Sequence, residues 1–164
     1  MQSHRVRKGK RGDLGDLRSL LTALAKFERL EPPGDQAIAR IGRDIFDKGR
    51  LGFFIATLGT NKVGYALYYY SYSSFLGRPT LFLEDIFVLE GFRKMGVGES
   101  LFRRCVREAV KRGCGRMEWA VLTWNRNAIA FYERIGARRM SDWYTYRLDS
   151  SQLERIAAGE KSPK

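Results

Sequence analysis

The order of sequence periodicities predicts one mixed α/β domain, and three observations carry that prediction. Two apolar helical stripes come first, three strand-like segments follow, and helix and strand then alternate to the end. One strand-like segment, residues 80–89, is almost wholly apolar, as a strand covered on both faces is. The length, 164 residues, is one domain's worth by a prior of roughly 100–200 residues per domain.

Residues 1–12 hold five Lys/Arg and no acid, so they are expected to form a disordered basic arm. His4 lies in this arm and takes no role. Asp13 or Asp16 caps a helix whose stripe is Leu17, Leu20, Leu21, Leu24 and Phe27. Glu31-Pro-Pro-Gly34 stops it. A second helix carries Ile38, Ile41 and Ile45 and ends near Lys48-Gly49. Residues 53–57 and 63–72 are rich in aromatic and β-branched residues and form a hairpin about residues 58–62. Gly77-Arg-Pro79 turns the chain into the apolar strand of residues 80–89. Glu84 and Asp85 interrupt that strand, and strict alternation points one to each face.

A helix of about sixteen residues opens at Val97, with Val97, Leu101, Cys105 and Ala109 on its stripe, and stops at Gly113-Cys-Gly115. Then come a strand over residues 117–122, a helix over 125–135 stopped by Gly136, a strand over 143–148, and a short helix over 151–158. There are no repeats and no interior linker. Residues 13–158 read as the single domain and 159–164 as a tail.

With 44% hydrophobic and 29% charged residues, the composition is that of an ordinary globular protein. No apolar run approaches the length of a membrane span, and the first residues have no apolar core of a secretory signal. Two cysteines, Cys105 and Cys114, and a single histidine make neither a disulfide framework nor an expected metal site. A reducing, cytoplasmic compartment is expected. The net charge of +12 is uneven. Residues 13–90 hold nine basic and ten acidic residues, and residues 91–164 hold sixteen and eight. Such an excess attracts anions, whether nucleic acid or a polyphosphate cofactor.

The strongest local signal is Arg93-Lys-Met-Gly-Val-Gly98, between a buried strand and a helix. Glycines bring backbone N–H groups against phosphate oxygens, and a helix N-terminus adds unpaired donors. The nucleotide P-loop would need Lys-Ser/Thr after its last glycine, and the dinucleotide fingerprint a third glycine; both are missing here. What remains is Arg-x-x-Gly-x-Gly.

This segment resembles the pyrophosphate loop of the GNAT acetyltransferases. Asn125-Arg-Asn-Ala-Ile-Ala-Phe-Tyr132, followed by Gly136-Ala137, is similar to that family's second signature. Residues 25–31, 68–72, 81–88 and Trp143 further resemble its diamine branch, the spermidine/spermine and thialysine acetyltransferases. The resemblance implies a strongly twisted mixed sheet of six or seven strands, flanked by helices, with central strands splayed around acetyl-CoA. It implies that Ile86, Phe87 and Val88 bind the pantetheine and thioester through their backbones. Arg93, Lys94, Met95, Gly96, Val97, Gly98 and Glu99 would hold the pyrophosphate. Asn125, Ala128 and Tyr132 would line the cofactor's far side.

The implied reaction is direct acetyl transfer to an amine. Glu84 would remove the amine's proton through water and help bind the cation. The Phe87 N–H would stabilise the oxyanion, and Tyr132 would protonate the departing thiolate. Phe27, Glu28, Glu31, Glu84, Trp119 and Trp143 would contact the acceptor. No metal is implied.

The acceptor is expected to be a small-molecule primary amine, either a diamine or polyamine or a thialysine- or lysine-like compound. Ser73 stands where polyamine-specific members carry an acid, and a strongly basic domain repels a tri- or tetracation at long range. An amine with its own carboxylate tolerates that surface better. Alternatives are a protein N-terminus or lysine as acceptor and, from another class, a basic nucleic-acid-binding module using the arm and the arginine face of the helix over 97–112. The diamine branch forms dimers, which implies a homodimer.

Overall fold

The computed structural model describes residues 3–160, which divide between Ala120 and Val121 into two compact units. The first contains β1 (His4–Lys8), α1 (Leu14–Glu28), α2 (Asp35–Phe46), β2 (Leu51–Leu58), β3 (Asn61–Ser73), β4 (Arg78–Val88), α3 (Val97–Lys111) and β5 (Arg116–Trp119). Its sheet runs β1-β2-β3-β4-β5. The first four strands are antiparallel to their neighbours, and β5 lies parallel to β4. The mixed α/β class stands, with five strands among the described residues in place of six or seven.

Alternation along β2 and β3 builds two apolar layers. Phe53, Ile55, Tyr65 and Leu67 meet Leu17 and Leu20 of α1, with Phe87 of β4, and α2 packs against this cluster through Ile41 and Ile45. Phe54 and Tyr68 face the other way and stack at 5.2 Å, under Arg104 of α3, whose guanidinium lies 4.4 Å over the Phe54 ring. Glu108 of α3, nearly buried, accepts from Tyr70 Oη (3.2 Å) and Arg112 Nε (3.3 Å), which pins the helix to β3. Cys105 is fully buried on the α3 stripe, as its position there predicts.

The disordered arm is a correction. His4 through Lys8 pair residue by residue with Leu58 through Phe54 of β2. Edge strands are commonly charged, which blocks wrong pairing without preventing the right one. Arg7 secures the strand: Nη1 and Nη2 donate to the two carboxylate oxygens of Asp13 at 2.6 and 2.7 Å. Asp13, buried at the start of α1, also accepts from the Lys10 N–H at 2.7 Å.

The second unit contains α4 (Arg126–Arg134) and α5 (Ser150–Ala157). Asn125 Oδ1 caps α4 by accepting from the Ala128 N–H at 3.3 Å, and Gly136 ends it in the left-handed conformation (φ +84°). Asp149 and Gln152 form a reciprocal capping box on α5. The expected strand over residues 143–148 is a second correction. Residues 143–149 carry no regular structure, and Trp143, Tyr144 and Tyr146 are largely exposed. Strand-like composition needs a partner to become a ladder, and none forms among the described residues. The strand expected over 117–122 is shorter and one residue earlier, Arg116–Trp119. Of the span expected over 13–158, the part up to Ala120 lies in a first unit that also includes β1, and the rest lies in the second unit.

The hydrogen bonds from Arg7 hold the Asp13 carboxyl down at about 2, against an unfolded value near 3.8. Ionised Asp13 therefore stabilises the fold above about pH 4, and that contribution disappears as pH falls toward 2. In thermal melts, Asp13→Asn is expected to cost about 1.5–3 kcal/mol at neutral pH, the range for hydrogen bonds to a charged group. The variant is also expected to flatten the loss of stability across that acid window.

Candidate active site

The β4–β5 ladder runs only from Thr80↔Arg116 to Leu83↔Trp119. On its other side β4 stays paired with β3 as far as Val88↔Gly64. Residues 84–88 therefore have one open backbone edge, bounded at its apex by Trp119, whose ring packs edge-on to Phe102 at 5.3 Å. This is the splay that the resemblance implies.

Two observations show which backbone groups face the opening. Leu89 N–H donates to the Val63 carbonyl of β3 at 2.9 Å. The Phe87 carbonyl also faces β3, since a β-carbon placed on Gly64 would lie 2.6 Å from its oxygen. Along a strand, N–H and C=O of one residue point the same way and alternate with the next. Phe87 is thus committed to the β3 ladder, and Ile86 and Val88 present their N–H and C=O to the opening. The Phe87 N–H expected to meet an oxyanion faces the wrong side, while Ile86 and Val88 fit a pantetheine. The Val88 carbonyl accepts from Arg93 Nε at 3.0 Å.

A bulge changes the carboxylates. Leu67 pairs with Asp85 and Tyr68 with Leu83, so Glu84 is the extra residue. The two side chains do not alternate, as strict period-2 geometry predicts, because the bulge consumes one step. Glu84 is exposed and acts electrostatically on Asp85 and on Tyr69. Asp85, half-buried, accepts from Tyr65 Oη at 3.2 Å. Burial, then the charges of Glu84 and Glu28, push the Asp85 carboxyl up to about 6, and the Tyr65 bond pulls it partly back. Tyr65, fully buried, is pushed far up by burial and remains a donor. Glu28, at the end of α1, is raised by burial. Glu31 is exposed beyond the helix.

At the expected phosphate loop, Lys94 (φ 62°) and Gly96 (φ 78°) adopt the left-handed conformation before α3. Gly96 is the N-cap and supplies no side-chain bond, so the first-turn N–H groups of Val97, Gly98 and Glu99 remain donors for an anion. Gly98 passes close to Val88, where a β-carbon would lie 3.7 Å from Cγ2. Val97 is buried and anchors the turn, and Met95 is half-exposed. Arg93 differs from expectation. Besides bonding Val88, its guanidinium lies 4.7 Å over Phe27 and 5.5 Å over Phe87, clamping α1 to β4. Glu99 is paired with Arg103 at 2.8 Å.

In the second unit, Asn125 and Ala128 form the α4 cap, and Tyr132 lies four residues on from Ala128, on the same helix face. Burial pushes the Tyr132 phenol up to about 12, so it holds its proton at neutral pH. Trp143 is three-quarters exposed, in the irregular segment. Among the described residues no group of three metal-ligating side chains comes together, and no helix is long and apolar enough to cross a membrane.

The profile of the Acetyltransferase (GNAT) family matches residues 16–137, and the chain belongs to that family of acetyltransferases. It is 34% identical to a thialysine N-epsilon-acetyltransferase of Caenorhabditis elegans, over 85% of this chain and 88% of the relative. It is 42% identical to an L-ornithine N5-acetyltransferase of Arabidopsis thaliana, over 57% of this chain and 41% of that one. Among solved structures, an aminoglycoside N-acetyltransferase in complex with CoA superposes with a TM-score of 0.74 at 25% identity, covering 89% of this chain and 95% of the other.

Sequence reasoning missed Tyr65 and gave Asp85 no chemistry, because neither the bulge nor the buried hydroxyl beside it leaves a pattern in the chain. Carbon NMR of the side-chain carboxyls is expected to find Asp85 titrating near pH 6. Glu84→Gln, which removes a neighbouring negative charge, lowers that midpoint, and Tyr65→Phe, which removes the hydrogen bond, raises it.

Proposed function

We propose that the chain moves the acetyl group of acetyl-CoA directly onto the side-chain amine of a small amino acid of the thialysine, lysine or ornithine kind. The observation that carries this reading is the acidic group formed by Glu84, Asp85 and Glu28 beside the open edge of β4. Acetyl-CoA supplies a thioester acetyl group. The outward backbone groups of Ile86 and Val88 and the uncapped first turn of α3 fit its pantetheine and pyrophosphate.

Glu84 and Glu28 draw the ammonium group in. Asp85, raised toward neutrality, takes its proton; a base tuned near the working pH accepts a proton without holding it too weakly. The freed amine attacks the thioester carbonyl, whose oxygen is met by an outward N–H of β4. As the carbon–sulfur bond breaks, Tyr132 gives its proton to the thiolate, and the second proton on the attacking nitrogen leaves through solvent and restores the phenol. In this reading the expected base, Glu84, binds and Asp85 deprotonates.

The relatives named for thialysine and ornithine support an amino-acid acceptor. So does Ser73: it is buried in the β3–β4 turn, where its Oγ accepts from the Leu76 N–H at 3.3 Å. It supplies no acid for a long polyamine. Nothing in the site favours a protein acceptor. The nucleic-acid alternative loses its arm to β1. A cytoplasmic homodimer belongs to the same reading, supported by two free cysteines and by the exposed Trp143, Tyr144 and Tyr146.

Thiol release from acetyl-CoA, followed with a chromogenic reagent, tests the reading. Thialysine, lysine or ornithine is expected to give kcat/KM about tenfold or more above spermidine, the worth of one charge-assisted contact. Tyr132→Phe is expected to lower kcat by about 10²–10⁴, the usual share of a general acid, with little change in CoA affinity. No turnover with any of these amines, or an unchanged Tyr132→Phe variant, contradicts the assignments.

A further inference from the structure

Strand β1 delivers His4 to the first turn of α3. His4 pairs with Leu58 in the sheet, yet its side chain leaves the strand toward the loop of residues 93–98. Its Nε2 lies 2.7 Å from Ser100 Oγ, 96 residues away in sequence, in a part-buried contact. Its Cε1 lies 3.7 Å from the place a β-carbon would take on Gly96, the N-cap of α3. Ser100 N–H in turn closes the first turn on the Gly96 carbonyl at 3.0 Å. Cε1 sits between the two ring nitrogens, so the imidazole turns its N–C–N edge to this turn. In the tautomer whose Nε2 accepts from the Ser100 hydroxyl, Nδ1 is the donor.

A side-chain donor here adds to the first-turn N–H groups of α3. Arg93, first residue of the loop motif, spends Nε on the Val88 carbonyl and its guanidinium face on Phe27 and Phe87. Glu99 adds a negative charge to the first turn, offset by Arg103. Lys94 is the cation left on the loop itself.

We propose that His4 is part of the cofactor site: positioned by β1 and held by Ser100, its imidazole donates a hydrogen bond to a phosphoryl oxygen of the CoA pyrophosphate seated on the first turn of α3. This rests on the reading of residues 93–99 as the pyrophosphate loop. It gives the N-terminal strand a role in cofactor binding in addition to its role in the sheet.

The full chain and its His4→Phe variant, which keeps a flat ring on the edge strand, are titrated with CoA by calorimetry and with pantetheine by NMR. Pantetheine shares the thiol arm and lacks every phosphate. Loss of the imidazole is expected to weaken CoA about tenfold, as for one charge-assisted hydrogen bond, and to change pantetheine affinity by less than about twofold. Ser100→Ala, which releases the ring without removing it, is expected to fall between. Equal weakening of both ligands would make His4 a sheet residue only and overturn the proposal, as would unchanged CoA affinity in both variants. A wild-type chain that does not bind CoA would instead overturn the loop reading beneath it.

Discussion

Strand β4 has two neighbours for four residues and one neighbour for the rest, and the chemistry of the first unit follows from that loss. Up to Leu83 its backbone is shared between β3 and β5. Past Leu83 the β3 ladder continues alone, and every second residue turns its N–H and C=O into the gap. A ligand amide placed in the gap can pair with these groups, as a neighbouring strand would. Arg93 already answers one of those groups, the Val88 carbonyl. The same side chain covers Phe27 and Phe87, so the end of α1, the open strand and the phosphate loop are joined through one guanidinium.

The bulge at Glu84 adds the second ingredient. Without it, Glu84 and Asp85 would sit on opposite faces, and each would be an isolated charge. With it, burial first and then the charges of Glu84 and of Glu28 at the end of α1 raise the proton affinity of Asp85. Like charges brought together in a partly dry site destabilise the fold. The native structure tolerates this because Tyr65 donates a hydrogen bond from within the core, and because both apolar layers flanking the strands are well filled. Local rules are broken at this bulge, and breaks of that kind concentrate at functional sites.

How much of this was legible in the sequence depends on the range of the interaction. Helices α1 to α5 are legible because stripe and stop signals are local: Leu17 and Leu20 of α1 and Gly136 after α4 each act within a turn or two. The turn of residues 93–98 into α3 is legible for the same reason. Strand β1 is not, because its stability comes from β2 and from Asp13, and its own composition reads as a charged tail. Residues 143–148 fail in the opposite sense. Their alternation of aromatics looks like a strand, but a ladder is a property of two segments. The splay needed the resemblance. The bulge needed the register of β3 against β4, and a register cannot be read from one strand.

The charge pattern then decides what kind of acceptor this geometry suits. A net charge of +12 sets a long-range field that gathers polyanions, which favours a cofactor carrying several phosphates, and it repels small polycations. Around Asp85 the local sign is negative, since Glu84 and Glu28 both act on it. Screening at physiological salt removes the far field beyond about 8 Å, so the acids govern the last steps of approach and the basic surface governs the earlier ones. A polyamine meets repulsion first and attraction only at the end. An amino acid with a cationic side chain carries one net positive charge at neutral pH, two ammonium groups less one carboxylate, so it meets less repulsion than a tri- or tetracation, and it presents its ammonium group to the acids on arrival. The same sequence that makes the exterior basic and the interior edge acidic thus favours an acceptor carrying both signs.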